Sequence, residues 1–241
     1  MKIRRIMAEN RSIFQFKQFA LAHGNPGLKI TTEACLFGAW SAQFPQKNTL
    51  DIGTGCGLLV SMLAQAHPTS HFTGIEIQKE VALLALENIN GLSNPSIDIQ
   101  AMSLLDYASQ HDFIICNPPF FINHIKNSVS SKNQAMHSDT LSPTELAAGI
   151  KQNLSPDGKF TVLYPPEGMK QFEQAANALG IFINQICEVK HQSSHKTLRL
   201  MAQGSLKELR KETQTLCIKN SDESYTSEFT DLLKPYYLIF D

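Results

Sequence analysis

The glycine-rich segment Asp51-Ile52-Gly53-Thr54-Gly55-Cys56-Gly57 constrains the fold of this chain more than any other feature of its sequence. It lies between a short apolar run that predicts a strand, Thr49 to Ile52, and apolar residues that recur at helical spacing from Leu58 to Ala66. Glycines permit a tight turn and let a ligand approach the backbone closely, which side chains would prevent. The spacing is G-x-G-x-G, so neither the dinucleotide fingerprint G-x-G-x-x-G nor the P-loop motif is present.

Two acidic residues near this loop indicate what it binds. Asp51 ends the first predicted strand, where a carboxylate favours a ligand with a cationic amino group over a phosphate. Glu76 ends the next predicted strand, and an acid about 20 residues beyond such a loop is the usual ligand for ribose hydroxyls. Together these residues favour a nucleoside that carries an amino acid, whereas the loop alone is also consistent with a turn selected for packing.

Strand and helix patterns alternate along the chain. Further predicted strands lie near 71–77, 97–102, 113–116 and 159–163, and further predicted helices near 79–90, 143–153 and 167–179. This alternation predicts right-handed crossovers, a mostly parallel sheet and helices on both of its faces. Strands near 181–189 and 196–203 are joined by a short polar loop, which predicts an antiparallel hairpin at one sheet edge. We therefore expect an α/β fold with a seven-stranded sheet.

No segment has the composition of a linker, so we expect residues 1–241 to form a single domain. Within this domain, we expect residues 1–45 to form an N-terminal arm and a helix, with the helix at 32–43. We expect residues 46–205 to form the catalytic core. Residues 206–241 predict an addition with a strand near 213–218 and a helix near 226–234.

Composition and charge limit the location of the chain and its partners. Hydrophobic residues make up 42% of the sequence, enough for a sizeable core, and no apolar run approaches the ~18 residues that span a bilayer. The start, Met1 to Arg5, lacks the apolar stretch of a signal peptide. The five cysteines form no C-x-x-C pair, which favours reduced thiols over disulfides or a metal site. We expect a cytoplasmic protein with no metal and no membrane contact.

Basic side chains are concentrated in two places, although the formal net charge is −1. One cluster lies within residues 1–30 and the other within 190–199. Each is consistent with an ordinary solvated surface or with a patch that binds a phosphate backbone. The candidates for RNA contact are Arg4, Arg5, Arg11, Lys17, Lys196 and Arg199.

The tetrad Asn117-Pro118-Pro119-Phe120 follows the fourth predicted strand, at the sheet edge where ligands of open α/β folds bind. The Asn117 side chain and the Pro118 backbone each offer a carbonyl oxygen, so together they can accept both hydrogens of a planar amine. Phe120 offers a ring face on which a base can stack. A proline turn that merely ends a strand is the alternative, and the glycine loop at the same edge favours the functional interpretation.

The loop and the later acid resemble those of Rossmann-like class I methyltransferases that use S-adenosylmethionine. The resemblance implies that Asp51 and the loop glycines Gly53, Gly55 and Gly57 hold the methionine part of this cofactor, and that Glu76 holds its ribose. Ile77, Ser103 and Leu104 are then expected beside the rest of the cofactor, the latter two at its adenine, and Asn117 contacts it from the tetrad. The tetrad itself occurs in adenine-N6, guanine-N2 and protein-glutamine-N5 methyltransferases, so it does not identify the amine.

Nearly the whole chain resembles the bacterial tRNA1(Val) (adenine(37)-N6)-methyltransferase family. The segments that carry this resemblance are Phe14 to Phe19, Lys29 to Trp40, Asn117 to Asn123, His137 to Ser142 and Tyr225 to Phe240. The resemblance implies N6-methylation of the adenosine 3′ of the anticodon in a valine tRNA. Guanine-N2 methylation of ribosomal RNA and glutamine-N5 methylation of a protein remain alternatives, as does a non-catalytic RNA-binding module. No obligate protein partner is inferred.

Overall fold

A computed structural model describes residues 12–23, 30–92, 96–118 and 141–240. Its centre is an eight-stranded sheet with the strand order β10-β8-β9-β7-β6-β3-β4-β5. The strands are β3 (Asn48–Ile52), β4 (His71–Glu76), β5 (Ile97–Ala101), β6 (His111–Cys116), β7 (Leu154–Tyr164), β8 (Phe182–Lys190), β9 (Thr197–Ser205) and β10 (Glu212–Cys217). β9 runs antiparallel to its neighbours β7 and β8, and every other pair in this sheet is parallel.

The predicted α/β class is therefore confirmed, with one difference at the sheet edge. The sequence predicted seven strands with the β8–β9 hairpin outermost, but β10 pairs in parallel with β8 from Glu212–Gln185 to Cys217–Lys190. The outer side of β8 would otherwise present a row of unpaired backbone groups, and β10 supplies their partners. The described sheet consequently has eight strands, and the hairpin lies one strand inside the edge.

Within the described ranges, six helices pack on the two faces of this sheet. They are α1 (Thr32–Ser41), α2 (Leu58–Ala66), α3 (Lys79–Ile89), α4 (Pro143–Asn153), α5 (Pro166–Ala178) and α6 (Ser227–Leu233). Successive residues of β6 point to opposite faces of the sheet. Phe113 packs in an apolar cluster with α1, α2 and α6, and Ile114 packs in a second cluster with α4 and α5. No helix within the described residues is long and apolar enough to cross a membrane.

An antiparallel hairpin precedes α1 and is formed by β1 (Ile13–Gln15) and β2 (Ala20–Ala22). Phe16 and Phe19 at its turn are 0% and 6% exposed, so both aromatic side chains pack in the core. The hairpin contacts the end of the chain, since the Lys17 backbone N–H donates to the Tyr236 oxygen at 2.8 Å. The first and last described segments therefore support each other.

Candidate active site

A cleft of about 580 Å³ opens where the parallel strands β3, β4, β5 and β6 end. Ile52, the last residue of β3, pairs with Ile75 on one side and with Cys116 on the other. The residues that follow these strands therefore meet at one edge, as ligand sites of open α/β sheets do. Predicted site residues that line the cleft are Gly53, Gly55, Glu76, Ile77, Ser103, Leu104, Asn117, Pro118 and Arg199.

The glycine loop owes its shape to left-handed backbone conformations. Gly53, Gly55 and Gly57 have φ values of 69°, 58° and 83°, which side chains rarely tolerate. The Gly53 and Thr54 N–H groups donate to the Ile75 oxygen at 2.9 and 3.0 Å, which fixes the loop to β4. A Cβ at Gly53 would meet no atom within 4 Å, so the loop leaves open space where a ligand can approach its backbone.

Asp51 lies beneath this loop rather than in the cleft lining. Its side chain is 0% exposed, and Oδ2 accepts a hydrogen bond from the Thr54 hydroxyl at 2.7 Å. The other oxygen, Oδ1, is buried without a hydrogen-bond partner among the described residues. Gly74 makes room for this pair, because a Cβ there would lie 2.9 Å from the Thr54 hydroxyl oxygen. Asp51 thus shapes the loop and places a carboxyl group close behind it.

The pKa of Asp51 is raised to about 7, chiefly because burial disfavours the charged carboxylate; the Thr54 hydrogen bond opposes this effect, and the nearby Glu76 carboxylate adds to it. A cation bound in the loop would stabilise the charged form of this carboxyl group. The site is therefore electrostatically suited to a ligand with positive charge, and the role of Asp51 in holding the cofactor stays a prediction.

Glu76 connects the loop to the end of β4. Its Oε2 accepts a hydrogen bond from the Gly55 N–H at 3.2 Å, and its Oε1 accepts one from the Gln78 N–H at 3.0 Å. The side chain is 8% exposed and lines the cleft. Each carboxylate oxygen has a second lone pair, so this fixed group can still accept hydrogen bonds from vicinal hydroxyls. Its role as the ribose ligand stays a prediction.

Exposed apolar side chains line the cleft where β4 and β5 end. Ile77, Met102 and Leu105 are 51%, 36% and 66% exposed, although large apolar residues are usually buried. Ser103 begins a 3-10 turn, Leu104–Asp106, and its hydroxyl accepts the Leu105 N–H at 3.2 Å. Such a group of exposed apolar residues indicates a ligand surface, here one that fits a planar ring.

Asn117 and Pro118 follow β6 and lie one strand away from the glycine loop. The Asn117 Oδ1 atom is buried without a hydrogen-bond partner among the described residues. Because buried polar atoms are normally satisfied, this acceptor indicates a ligand that donates hydrogen. Pro119 and Phe120 lie outside the described residues, so their predicted roles stay predictions.

The far wall of the cleft contains an ion pair that the motif analysis did not predict. The Arg199 guanidinium lies 3.2 Å from the Glu33 carboxylate, and the two side chains are 26% and 29% exposed. Arg199 was a candidate for RNA contact, and the structure places it in the cleft wall, already paired. Leu141 and Glu145 also line the cleft. Glu145 lies in the first turn of α4, where it forms a capping box with Ser142.

The remaining candidates for RNA contact differ in their surroundings. The Lys17 ammonium donates a hydrogen bond to the Phe240 backbone oxygen, so it helps to hold the end of the chain. Lys196 is exposed and directly precedes β9. Since Leu200 pairs with Tyr164 at the end of β7, Lys196 lies at the same sheet edge as the cleft. Three further candidates lie outside the described residues: Arg4, Arg5 and Arg11.

These observations fit S-adenosylmethionine, which carries a cationic amino acid, a ribose and an adenine. The loop leaves space for a backbone contact, the buried Asp51 favours a cation, and the apolar end fits a planar ring. Beside this site, the buried Asn117 Oδ1 atom has no hydrogen-bond partner within the part of the chain that the structure describes.

Comparison with known proteins agrees with this chemistry. Residues 43–226 match the family described as "Methyltransferase domain". The "tRNA1(Val) (adenine(37)-N6)-methyltransferase" of Pseudoalteromonas translucida is 32% identical over 93% of this chain and 98% of the relative. The protein of the same name from Cytophaga hutchinsonii is 33% identical over 95% of this chain and 99% of the relative.

Solved structures show the same fold at lower identity. "A predicted O-methyltransferase" from Agrobacterium tumefaciens superposes with a TM-score of 0.64, at 15% identity over 83% of this chain and 94% of that chain. An S-adenosylmethionine-dependent methyltransferase from Aquifex aeolicus gives a TM-score of 0.53, at 16% identity over 73% of this chain and 94% of that chain. With these sequence relatives, the chain belongs to the tRNA1(Val) (adenine(37)-N6)-methyltransferase family of S-adenosylmethionine-dependent enzymes.

Proposed function

We propose that this enzyme methylates the exocyclic N6 amine of an adenosine in tRNA, at position 37 of a valine tRNA. The names of relatives that match almost the whole chain support the substrate. The observation that carries the chemistry is the buried Asn117 Oδ1 after the end of β6, one strand from the glycine loop, which has no hydrogen-bond partner among the described residues.

In the proposed reaction, Asn117 and Pro118 hold the amine. The Asn117 Oδ1 and the Pro118 backbone oxygen each accept one amine hydrogen, which directs the nitrogen lone pair towards the glycine loop. S-adenosylmethionine supplies a methyl group on a positively charged sulfur, whose departure as a neutral thioether makes the transfer favourable. The methylated nitrogen is acidic and releases its extra proton to solvent, so no strong base is required. Positioning and exclusion of water by the chain therefore provide most of the rate enhancement.

The substrate can be tested in a single measurement. Bulk tRNA from cells that lack this activity is incubated with the enzyme and isotopically labelled S-adenosylmethionine, and its nucleosides are analysed by mass spectrometry. We expect label in N6-methyladenosine, and sequencing of the labelled fragment should place it beside the valine anticodon. Label in N2-methylguanosine would contradict the proposal, and so would label only in an added protein fraction.

Two asparagine variants separate the chemical step from general damage. Asn117→Ala removes the proposed acceptor, and loss of one preorganised hydrogen-bonding group costs about 10²- to 10³-fold in kcat. Asn177→Ala is the matched control, because Asn177 is exposed near the end of α5, which leads to the opposite end of the sheet. In Asn117→Ala, methyl transfer should fall far more than cofactor affinity, whereas Asn177→Ala should change neither. Equal rates of methyl transfer would remove Asn117 from the mechanism.

We also propose that the chain works as one domain in the cytoplasm, where its tRNA substrate is found. The contact of the N-terminal hairpin with the C-terminal segment supports one folding unit. Limited proteolysis should release no stable fragment. Separate unfolding transitions for the core and the C-terminal addition would contradict this view.

A further inference from the structure

The cleft lining contains three carboxylates among the described residues, Glu33, Glu76 and Glu145. Glu33 is paired with Arg199, and both oxygens of Glu76 accept backbone N–H groups. Glu145 differs, because its carboxylate is bonded only to the neighbouring Ser142 among the described residues, with the Ser142 N–H donating to Oε2 at 2.8 Å. Glu145 therefore brings an uncommitted acceptor to the cleft.

The packing of α4 shows which end of the cleft this acceptor occupies. Gly149 follows Glu145 by four residues, so the two lie on the same face of the helix. A Cβ at Gly149 would lie 2.4 Å from the Leu104 side chain, so this face packs directly on the 3-10 turn that Ser103 begins. Glu145 consequently lies one helical turn from that contact, and it lines the cleft together with Ser103 and Leu104, the residues expected beside the adenine.

The planar ring expected at this end carries an exocyclic amine, and an amine needs an acceptor. The Ser103 hydroxyl already accepts the Leu105 N–H, and Asp106 is exposed and does not line the cleft. We propose that the Glu145 carboxylate accepts a hydrogen bond from the amino group of the cofactor adenine and thereby sets the purine specificity of the cofactor site. This inference rests on the proposed use of S-adenosylmethionine.

The charge of Glu145 suits this role. Its hydrogen bonds with Ser142 lower the pKa of its carboxyl group, so the group is ionised at neutral pH. An ionised acceptor makes a stronger hydrogen bond than a neutral one and cannot donate in return. The site should therefore discriminate strongly in favour of purines that carry a 6-amino group.

The test compares two ligands rather than rates of methyl transfer. S-adenosylhomocysteine and an analogue with hydrogen in place of the adenine 6-amino group are titrated calorimetrically into the whole protein. We expect the wild-type protein to prefer the amino form by about 10- to 100-fold, as a charge-assisted hydrogen bond provides. In Glu145→Ala this preference should fall to about twofold or less.

Two further variants separate recognition from damage to α4. Ser142→Ala weakens the same capping box but keeps the Glu145 carboxylate and the backbone N–H that donates to it, so most of the wild-type preference should remain. Glu145→Gln keeps a neutral acceptor and should give an intermediate preference.

An unchanged preference in Glu145→Ala would overturn the inference, and so would its loss in Ser103→Ala with Glu145 intact. In either case S-adenosylhomocysteine still binds, and the proposed function survives. A wild-type protein that binds neither ligand would overturn the proposed function as well.

Discussion

Gly74→Ala should damage the cofactor loop although Gly74 does not line the cleft. A Cβ at this position would lie 2.7 Å from the Ile99 Cδ1 atom and 2.9 Å from the Thr54 hydroxyl oxygen. Real Cβ atoms do not approach neighbours so closely, so Thr54 must move. The Thr54 hydroxyl is the hydrogen-bond donor to the buried Asp51, so the displacement reaches the carboxyl group beneath the loop.

Two contributions determine the size of this effect. Insertion of a methyl group into a packed interior costs about 1–3 kcal/mol, and loss of one buried hydrogen bond costs about 1 kcal/mol. Because Ile99 Cδ1 ends a side chain that can partly yield, we expect a combined loss of about 2–3 kcal/mol in the free energy of unfolding. For a chain of this size, that lowers Tm by about 4–12 °C. Affinity for S-adenosylhomocysteine should fall as well.

Gly91→Ala is the matched control for this substitution. A Cβ at Gly91 would meet no atom within 4 Å, and its φ is not in the left-handed region. This variant should unfold within about 0.5 kcal/mol of the wild-type protein. Thermal and urea unfolding, each with and without S-adenosylhomocysteine, measure both effects. If the two variants show the same Tm and the same affinity, packing beneath the loop does not control the site.

Four other predictions concern charge. Burial raises the pKa of Asp51 to about 7, and the cofactor is cationic. The affinity for S-adenosylmethionine should therefore fall as the pH drops below about 7, by up to about tenfold per pH unit. An affinity that calorimetry finds constant between about pH 5.5 and 8.5 would contradict this. Burial lowers the pKa of His111, so as the pH falls below about 6.5 this residue is protonated in the unfolded chain before it is protonated in the folded one. Acid should therefore destabilise the wild-type protein more than His111→Gln, which urea unfolding at about pH 5.5 measures. Lys196→Ala should weaken tRNA binding and reduce its salt slope by about one. Lys17→Ala should instead lower Tm with an unchanged slope, and the reverse pattern would refute both assignments.

The elements of the fold could be predicted because their signals are local. α4 begins and ends where the sequence predicted, since Ser142, Pro143 and Glu145 form a capping box with proline in the first turn. The position of β10 could not be predicted in this way. Its strand pattern was recognised, but pairing with β8 depends on which sheet edge is open, and that is settled only when the whole sheet assembles.

In the candidate site, too, some residues could be placed from the sequence and others could not. Gly53 and Asn117 were expected at one edge because the carboxyl ends of parallel strands meet, and the pairing of Ile52 with Cys116 brings them together. The pairing of Glu33 with Arg199 joins α1 to β9, which are far apart in the sequence, so neither segment contains a local signal for it. Contacts of this kind follow from tertiary packing alone.

Asp51 shows how the requirements of the fold and of the reaction conflict at this site. A carboxyl group with a pKa near 7 and one oxygen that has no partner among the described residues is costly to bury, and in the free protein protonation relieves that cost only below neutral pH. A cation bound in the adjacent loop relieves it above neutral pH as well, because it stabilises the ionised form. The glycines allow that cation to approach, since no side chain at Gly53 occupies the space. The glycines let the ligand approach, and its positive charge offsets the cost of burying the ionised Asp51 carboxylate. Cofactor binding should therefore stabilise this part of the fold most strongly at high pH.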